Sequence, residues 1–268
     1  MYSFENRLIL ITGASSGLGK AIALEFAKEN VKIALVARKD KLLNAISKKI
    51  NVRGDSLSKV FPFDLRDNPK IPALIKQIES AFGKKVDILV NAAGIATLGY
   101  VENIPIGEYY ENFEVNFFSG LALIQAVIPG MKEKKRGKII NITSGFGIRG
   151  IPGCSSYCAT KFALNGLTES LRVELKPFGV DVISISPGHV NTPFVKNQKV
   201  FGVLSQRFTN NNMKEPNEVA RKVLRASKNG IQRVELTIRA KIVRHLNNIF
   251  PSLLDYILEK KMIRKMPK

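Results

Sequence analysis

Tyr157 and Lys161 stand four positions apart in SSYCATKFALNG (155 to 166), a stretch whose other residues read as an ordinary helix. At i and i+4 they share one helical face. A free phenol ionises near pH ~10, too high to exchange its proton readily at neutrality. An ammonium about 4 Å away, at an effective dielectric near 20, is worth about 4 kcal/mol, or roughly three pKa units before desolvation takes some back. Such a pair predicts a proton donor for a carbonyl that receives hydride, because hydride on carbon leaves negative charge on oxygen. Ser144, thirteen residues before Tyr157, closes the apolar run GKIINITS, where a hydroxyl can hydrogen-bond the same oxygen. Each residue alone has a bland reading: a Tyr-x-x-x-Lys pair arises often by chance, and Ser-Gly is a common loop dipeptide.

These residues need elements to hold them. RLILIT reads as a short buried strand, GLGKAIALEFAKEN as a helix and VKIALVA as a second strand, and the rhythm repeats through VFPFDL, KVDILVN, GKIINIT and GVDVISISP, with helical patterns at 40–50 and 69–82. Continuous apolar strands separated by helical crossovers predict an α/β fold: a single-domain, doubly wound parallel sheet of Rossmann type, with ligands at the carboxyl ends of the strands. No linker, repeat or low-complexity stretch divides the chain. The catalytic domain is expected over 1–238, with a substrate lid at about 193–214, and a basic amphipathic helical extension over 239–268.

In ILITGASSGLGKAIALEFA the first strand meets the first helix through Gly13, Gly17 and Gly19. Without β-carbons, backbone N–H groups and the positive helix terminus approach a pyrophosphate closely, so a dinucleotide is the expected occupant. The spacing is G-x-x-x-G-x-G, a variant fingerprint that is weak alone. After the second strand, VARKDKL puts Ala37 where a carboxylate would bond a ribose 2'-OH, and Arg38 next to it. Arg38, aided by Lys39, suits a 2'-phosphate, which favours NADP over NAD, with NAD still open.

TGASSGLG (12 to 19), NAAG (91 to 94), Asn116, Ser144, YCATK (157 to 161) and SPGHVNT (186 to 192), in that order and at those intervals, resemble the short-chain dehydrogenase/reductase family over roughly residues 7 to 195. The resemblance implies that Tyr157 is the acid/base, that Lys161 lowers its pKa and bonds the nicotinamide ribose, that Ser144 orients the substrate oxygen, and that Asn116 anchors a water feeding protons to Lys161. It implies dinucleotide contacts at Gly13, Ser15, Ser16, Gly17, Leu18, Gly19, Arg38, Asp64, Asn91, Ala92, Gly94, Pro187, Gly188, Val190 and Thr192. Asp64 falls to the adenine amino group, Asn91 to the adenosine ribose and Thr192 to the carboxamide. NADP-preferring members often carry a base where Ser16 stands, so that preference rests on Arg38. A homo-oligomer packed through the Tyr157 helix and its predecessor is implied too. The function expected is an NADPH-dependent reductase of a ketone or aldehyde, reversibly; an NAD-linked alcohol dehydrogenase and a non-catalytic dinucleotide-binding or membrane-docking protein are the alternatives.

The net charge is +20, and from Lys199 to Lys268 there are 16 basic and 5 acidic residues. Such a surface attracts anionic cofactors or anionic lipid. No nucleic-acid motif accompanies it. Cys154 and Cys158 are too few for a disulfide framework and read as small buried thiols. With no signal-peptide pattern at the N-terminus, they favour a reducing, cytoplasmic setting. His189 and His245 lack partners at metal-ligand spacing, so no metal is expected, and His189 reads as a wall residue. Phe194, Val195, Val200, Phe201, Val203 and Leu204 predict an apolar substrate pocket for a 3-oxoacyl, sphingoid-type or steroid-like carbonyl. In the tail, Ile242, Leu246, Ile249, Leu253 and Ile257 recur at helical spacing, with Arg244, Lys260, Lys261, Arg264 and Lys265 opposite and Pro251 dividing two helices. Docking against its own domain or a second subunit is the favoured reading, and peripheral membrane contact the other.

Overall fold

The computed structural model describes residues 2–202 and 213–263. In chain order its strands are β1 (Leu8–Thr12), β2 (Lys32–Ala37), β3 (Leu57–Pro62), β4 (Ile88–Asn91), β5 (Thr97–Leu98), β6 (Gly137–Ile142), β7 (Val180–Ser186), β8 (Lys199–Val200) and β9 (Arg233–Glu235). The helices are α1 (Gly17–Phe26), α2 (Asp40–Asn51), α3 (Ile71–Phe82), α4 (Ile106–Phe113), α5 (Ser119–Glu133), α6 (Ser155–Leu175), α7 (Pro193–Lys196), α8 (Pro216–Lys228), α9 (Ile238–Ile249) and α10 (Pro251–Ile263).

Seven of these strands form one sheet in the order β3-β2-β1-β4-β6-β7-β9, and every neighbouring pair is parallel. Alternate residues of each strand feed opposite cores. Ile9, Ile11, Ile33, Leu35, Ile88 and Val90 pack with Ile22, Phe26, Leu43 and Val223 of α1, α2 and α8. Leu8, Leu10, Ala34, Val36 and Leu89 pack with Ile78, Leu123, Val127 and Leu171 of α3, α5 and α6. Burial on both faces explains why β1 and β4 are unbroken apolar runs, each fully buried aliphatic side chain contributing about 1.5–3 kcal/mol. From β1 the chain winds outward through β2 and β3, then returns to place β4 on β1's other side, so strand order reverses at β1/β4 and a crevice opens at their carboxyl ends.

The doubly wound parallel sheet expected from the sequence is thus present, and Pro251 does open a second C-terminal helix. The sequence reading lacked β9 and the helices over 106–133 and 216–228, and placed the third strand at VFPFDL, three residues late. Helices α4 and α5 join through one turn of π-helix, Glu114–Phe118, into a continuous helix Ile106–Glu133 of 28 residues with mean hydropathy 1.3 over its most apolar window. By length and composition this helix would reach across a bilayer, although the sequence holds no uninterrupted apolar run of that size. Its asparagines fasten it inside the domain: Asn112 Nδ2 donates to Thr97 Oγ1 at 2.8 Å, and Asn116 Nδ2 to the Ile95 carbonyl at 2.9 Å.

Candidate active site

The glycine turn after β1 has the shape an anion requires. Gly13 and Gly17 adopt φ +64° and +52°, and a Cβ on Gly13 would stand 3.0 Å from the Ala93 backbone. A Cβ on Gly19 would come within 2.4 Å of the Gly13 carbonyl, so only glycine lets α1 start this close to the strand. Extended Ser16 precedes α1 without a side-chain cap, and no acidic residue occupies the first turn. The first N–H groups of the helix therefore face the crevice without a side-chain acceptor, as a pyrophosphate would need. Ser15 and Leu18 lie in the same turn, and a Cβ on Gly17 would meet Thr192 Cβ at 3.2 Å, so the SPGHVNT segment closes over the glycine loop. Within that segment Pro187 and Val190 are buried, and Gly188 turns the chain at φ +75°.

Opposite, Thr12 Oγ1 accepts from the Ala92 and Ala93 N–H groups at 3.0 and 3.1 Å, pinning the NAAG turn against the end of β1. Asn91 is buried beneath it and donates to Asn141 Oδ1 at 2.9 Å, and Asn141 donates in turn to Thr168 Oγ1 at 2.9 Å. Arg38 is exposed beyond β2, forms no ion pair among the described residues, and is close enough to Asp64 and Glu111 to help hold both carboxyls below their usual range. Asp64 itself is gripped by Arg66, whose Nη2 donates to Oδ2 at 2.6 Å and whose Nε reaches both oxygens at 3.1 Å. The sequence reading gave Asp64 an adenine contact and did not anticipate this fork.

Tyr157, Ser144, Lys161 and Asn116 converge where β4 and β6 end. The Ser144 hydroxyl is near enough to Tyr157 to favour its ionisation in part, and Ser144 Oγ accepts from the Phe146 N–H at 3.2 Å. Lys161 Nζ donates to the Ile142 carbonyl at 3.0 Å and lies 5.6 Å from the Tyr157 ring centroid. Asn116, in the π-turn, accepts from Ile95 N–H at 2.8 Å and donates to Thr160 Oγ1 at 3.1 Å. Thr160 Oγ1 donates onward to the Tyr157 carbonyl at 2.8 Å. A Cβ on Gly94 would sit 3.2 Å from Asn116 Oδ1 and 4.0 Å from Lys161 Nζ, so the NAAG turn comes up against both. Asn116 lies in the π-turn Glu114–Phe118, whose extra residue aims the amide at the site.

Burial raises the Tyr157 pKa above its usual value of 10, with the Ser144 hydroxyl only partly opposing it. Lys161 Nζ, 5.6 Å from the ring centroid, donates to the Ile142 carbonyl rather than to the Tyr157 hydroxyl. Burial also pulls Lys161 from 10.5 down to about 8. Both groups are thus driven toward their neutral forms.

Phe146 and Phe194 flank the Tyr157 ring at centroid distances of 6.0 and 5.8 Å, and His189 meets Phe146 at 6.3 Å. Val200 belongs to β8, which pairs with β5, whereas Val203 and Leu204 lie outside the described residues. Cys154 and Cys158 are free and buried, and burial pushes the Cys154 thiol up to about 12. Thr12, Asn141, Thr160, Phe146 and Arg66 were missed by sequence reasoning. Only the polar endings of the apolar strands, in LILIT and GKIINI, signalled any of them. An open groove of about 810 Å³ between α1, α2 and α8, lined in part by Lys48, Arg53 and Arg221, contains none of these residues.

Residues 7–200 match the sequence model of the short chain dehydrogenases, and the chain belongs to that family. The 3-ketodihydrosphingosine reductase of Bos taurus is 32% identical over 228 residues, which cover 83% of this chain and 68% of that protein. A short-chain dehydrogenase from Streptomyces avermitilis superposes with TM-score 0.83 at 26% identity, over 98% of this chain and 99% of that one. An alcohol dehydrogenase from the archaeon Thermococcus sibiricus, complexed with 5-hydroxy-NADP, gives TM-score 0.75 at 26% identity over 86% and 94%. As a member of this family the chain is an oxidoreductase acting on CH–OH or C=O groups with a nicotinamide dinucleotide, and the glycine cradle and uncapped α1 fit that group.

Proposed function

We propose that the protein is an NADPH-dependent carbonyl reductase of an apolar, lipid-like ketone or aldehyde, working reversibly. The observation that carries this reading is the buried Tyr157, flanked by the Phe146 and Phe194 rings, with the half-buried Ser144 and the buried Lys161 beside it. NADPH, when bound, supplies hydride to the carbonyl carbon. Ser144 and Tyr157 hold the carbonyl oxygen, and Tyr157 gives its hydroxyl proton to that oxygen as charge develops there. Lys161 and Asn116, both close to Gly94, position the nicotinamide half and return a proton to Tyr157. Arg38 supplies the positive charge for a 2'-phosphate. The walls of Phe146 and Phe194 favour a substrate with apolar surface next to its carbonyl, in keeping with the sphingoid ketone named by the bovine relative.

A homo-oligomer is part of the same reading: Tyr110, Phe118, Phe162 and Val173 of α4, the π-turn and α6 leave apolar area on an outer surface that a second copy would bury. The chemistry is tested by Tyr157→Phe in a screen of ketones of increasing chain length, followed by NADPH absorbance. Turnover is expected to fall by about 10²–10⁴-fold with NADPH affinity unchanged. A variant with full activity would defeat the mechanism.

A further inference from the structure

The C-terminal helices are held by polar contacts on one side and bare on the other. Arg149 Nη1 donates to Asn247 Oδ1 at 2.8 Å and its guanidinium pairs with Asp255, while Asn247 Nδ2 donates to the Ile148 carbonyl at 3.3 Å. Arg244 pairs with Glu235 at the end of β9, and Leu254 is buried against the domain. Those contacts fix which face looks outward. On α9 the outward stripe is Ile238, Ile242 and Ile249, at intervals of four and seven residues, with Ile238 77% exposed and Ile249 64%. Phe250, at the bend before Pro251, is 56% exposed, and Leu253 and Ile257 continue the stripe along α10. Docking against its own domain or a second subunit is the expectation for the tail: one side does dock on the domain, and the apolar stripe on the other side is left exposed by it.

The charges around the stripe say what covers it. Lys241 and Lys260 are exposed on the hairpin, and Lys260 Nζ lies 4.7 Å over the ring of Tyr256, itself exposed. Asp255 and Glu235 are engaged by arginines, which leaves Glu259 as the exposed carboxylate with no ion pair among the described residues. From position 239 onward the sequence holds eight basic and two acidic residues. A two-fold contact with a second copy would press this positive segment against itself, because such an interface repeats the same patch on both sides. Apolar side chains flanked by lysines are instead what a helix lying in the headgroup region of an anionic bilayer presents.

We infer that the α9–α10 hairpin seats the protein on an anionic lipid bilayer, with Ile249 and Phe250 inserted most deeply and the lysines at the level of the lipid phosphates. The hairpin also adjoins the active-site loops. Ile148 and Arg149 follow the Ser144 turn, and Thr237, which caps α9 by accepting from Ala240 N–H at 3.1 Å, lies within 2.6 Å of where a Gly188 Cβ would be. A seated molecule would therefore hold its substrate loops beside the membrane. The docking itself does not depend on what Tyr157 reduces.

The test is co-sedimentation of the full chain with sucrose-loaded vesicles of phosphatidylcholine alone, or with about one third phosphatidylserine. The protein should pellet with the anionic vesicles at low salt and much less at high salt. Ile249→Glu with Phe250→Glu, both at exposed positions, should lower the partition coefficient at least tenfold while circular dichroism and melting temperature stay unchanged. Lys241→Gln and Lys260→Gln should each cost about fivefold. Unchanged binding in the Ile249/Phe250 variant would overturn the assignment, as would no pelleting with anionic vesicles at low salt. Two further results would also overturn it: dissociation of a lipid-free oligomer by that variant, which gives the face to a second copy, or binding to polyglutamate but not to vesicles, which gives it to an acidic protein.

Discussion

Replacing Lys161 by Met should make the cofactor-free protein more stable while destroying its turnover. Lys161 is 4% exposed, and burial moves its pKa from 10.5 to about 8. That shift of roughly 2.5 units corresponds to about 3 kcal/mol by which the folded state is penalised for carrying the ammonium at pH 7. Methionine has similar length and no charge, so the penalty disappears. The Ile142 carbonyl, 3.0 Å from Nζ, loses its donor at a cost of about 1 kcal/mol. The balance is a gain of about 2 kcal/mol. Its sign depends on pH: between about 8 and 10.5 the unfolded chain holds the proton that the folded chain has released, so wild-type stability rises with pH through that window. The advantage of the variant should therefore shrink and reverse by pH ~10. The chain contains no Trp, so urea unfolding followed by far-ultraviolet circular dichroism at pH 7 and 10 is the suitable assay. A variant that is less stable than wild type by the same amount at both pH values would refute the reasoning, because lost packing does not titrate.

Gly19→Ala should destabilise by more than about 2 kcal/mol, since its Cβ would lie 2.4 Å from the Gly13 carbonyl; the urea midpoint reads the loss, and NADPH affinity should fall with it. Arg38→Asp should reverse the cofactor preference by about 10²-fold or more, measured as the ratio of NADPH to NADH affinity, through loss of a charge-assisted bond and gain of a repulsion.

The strands were legible because β1, β2, β4, β6 and β7 are buried on both faces along nearly their whole length and so read as largely apolar runs, whereas β3 alternates exposed and buried positions and was placed late. β9 was not legible, because RVE has three residues, two of them charged, and takes its strand conformation from pairing with Ser184 to Ser186 at the sheet edge. The helix over 106–133 escaped notice for a different reason. The π-turn at Asn116 adds a residue and shifts the phase of the apolar pattern, and Pro129 interrupts it again. Among the site residues, Tyr157 and Lys161 could be paired from spacing, as could the glycines. The polar supports could not: Asn141, Thr168 and Thr160 matter through partners from 3 to 50 positions away, and only the folded chain brings them together. Arg66 was hidden for the same reason, since Asp64 was read as facing a ligand before its neighbour two positions on was seen to fold back on it.

The raised pKa of Tyr157 changes which direction of the reaction its environment suits. Hydride addition to a carbonyl leaves an alkoxide far more basic than a phenolate, so even a phenol held above its normal pKa of 10 passes its proton downhill. Reduction needs that proton present, and burial favours its staying on Tyr157. Oxidation of an alcohol needs the phenolate instead, and here burial is the obstacle. The nearby cation is then required, and Lys161 retains its proton only below about pH 8. As pH rises past that point the ammonium is lost before the phenol ionises, so the cation that would stabilise a phenolate is missing under the conditions that would form one. In the cofactor-free site the two buried groups are therefore arranged for giving a proton rather than for taking one.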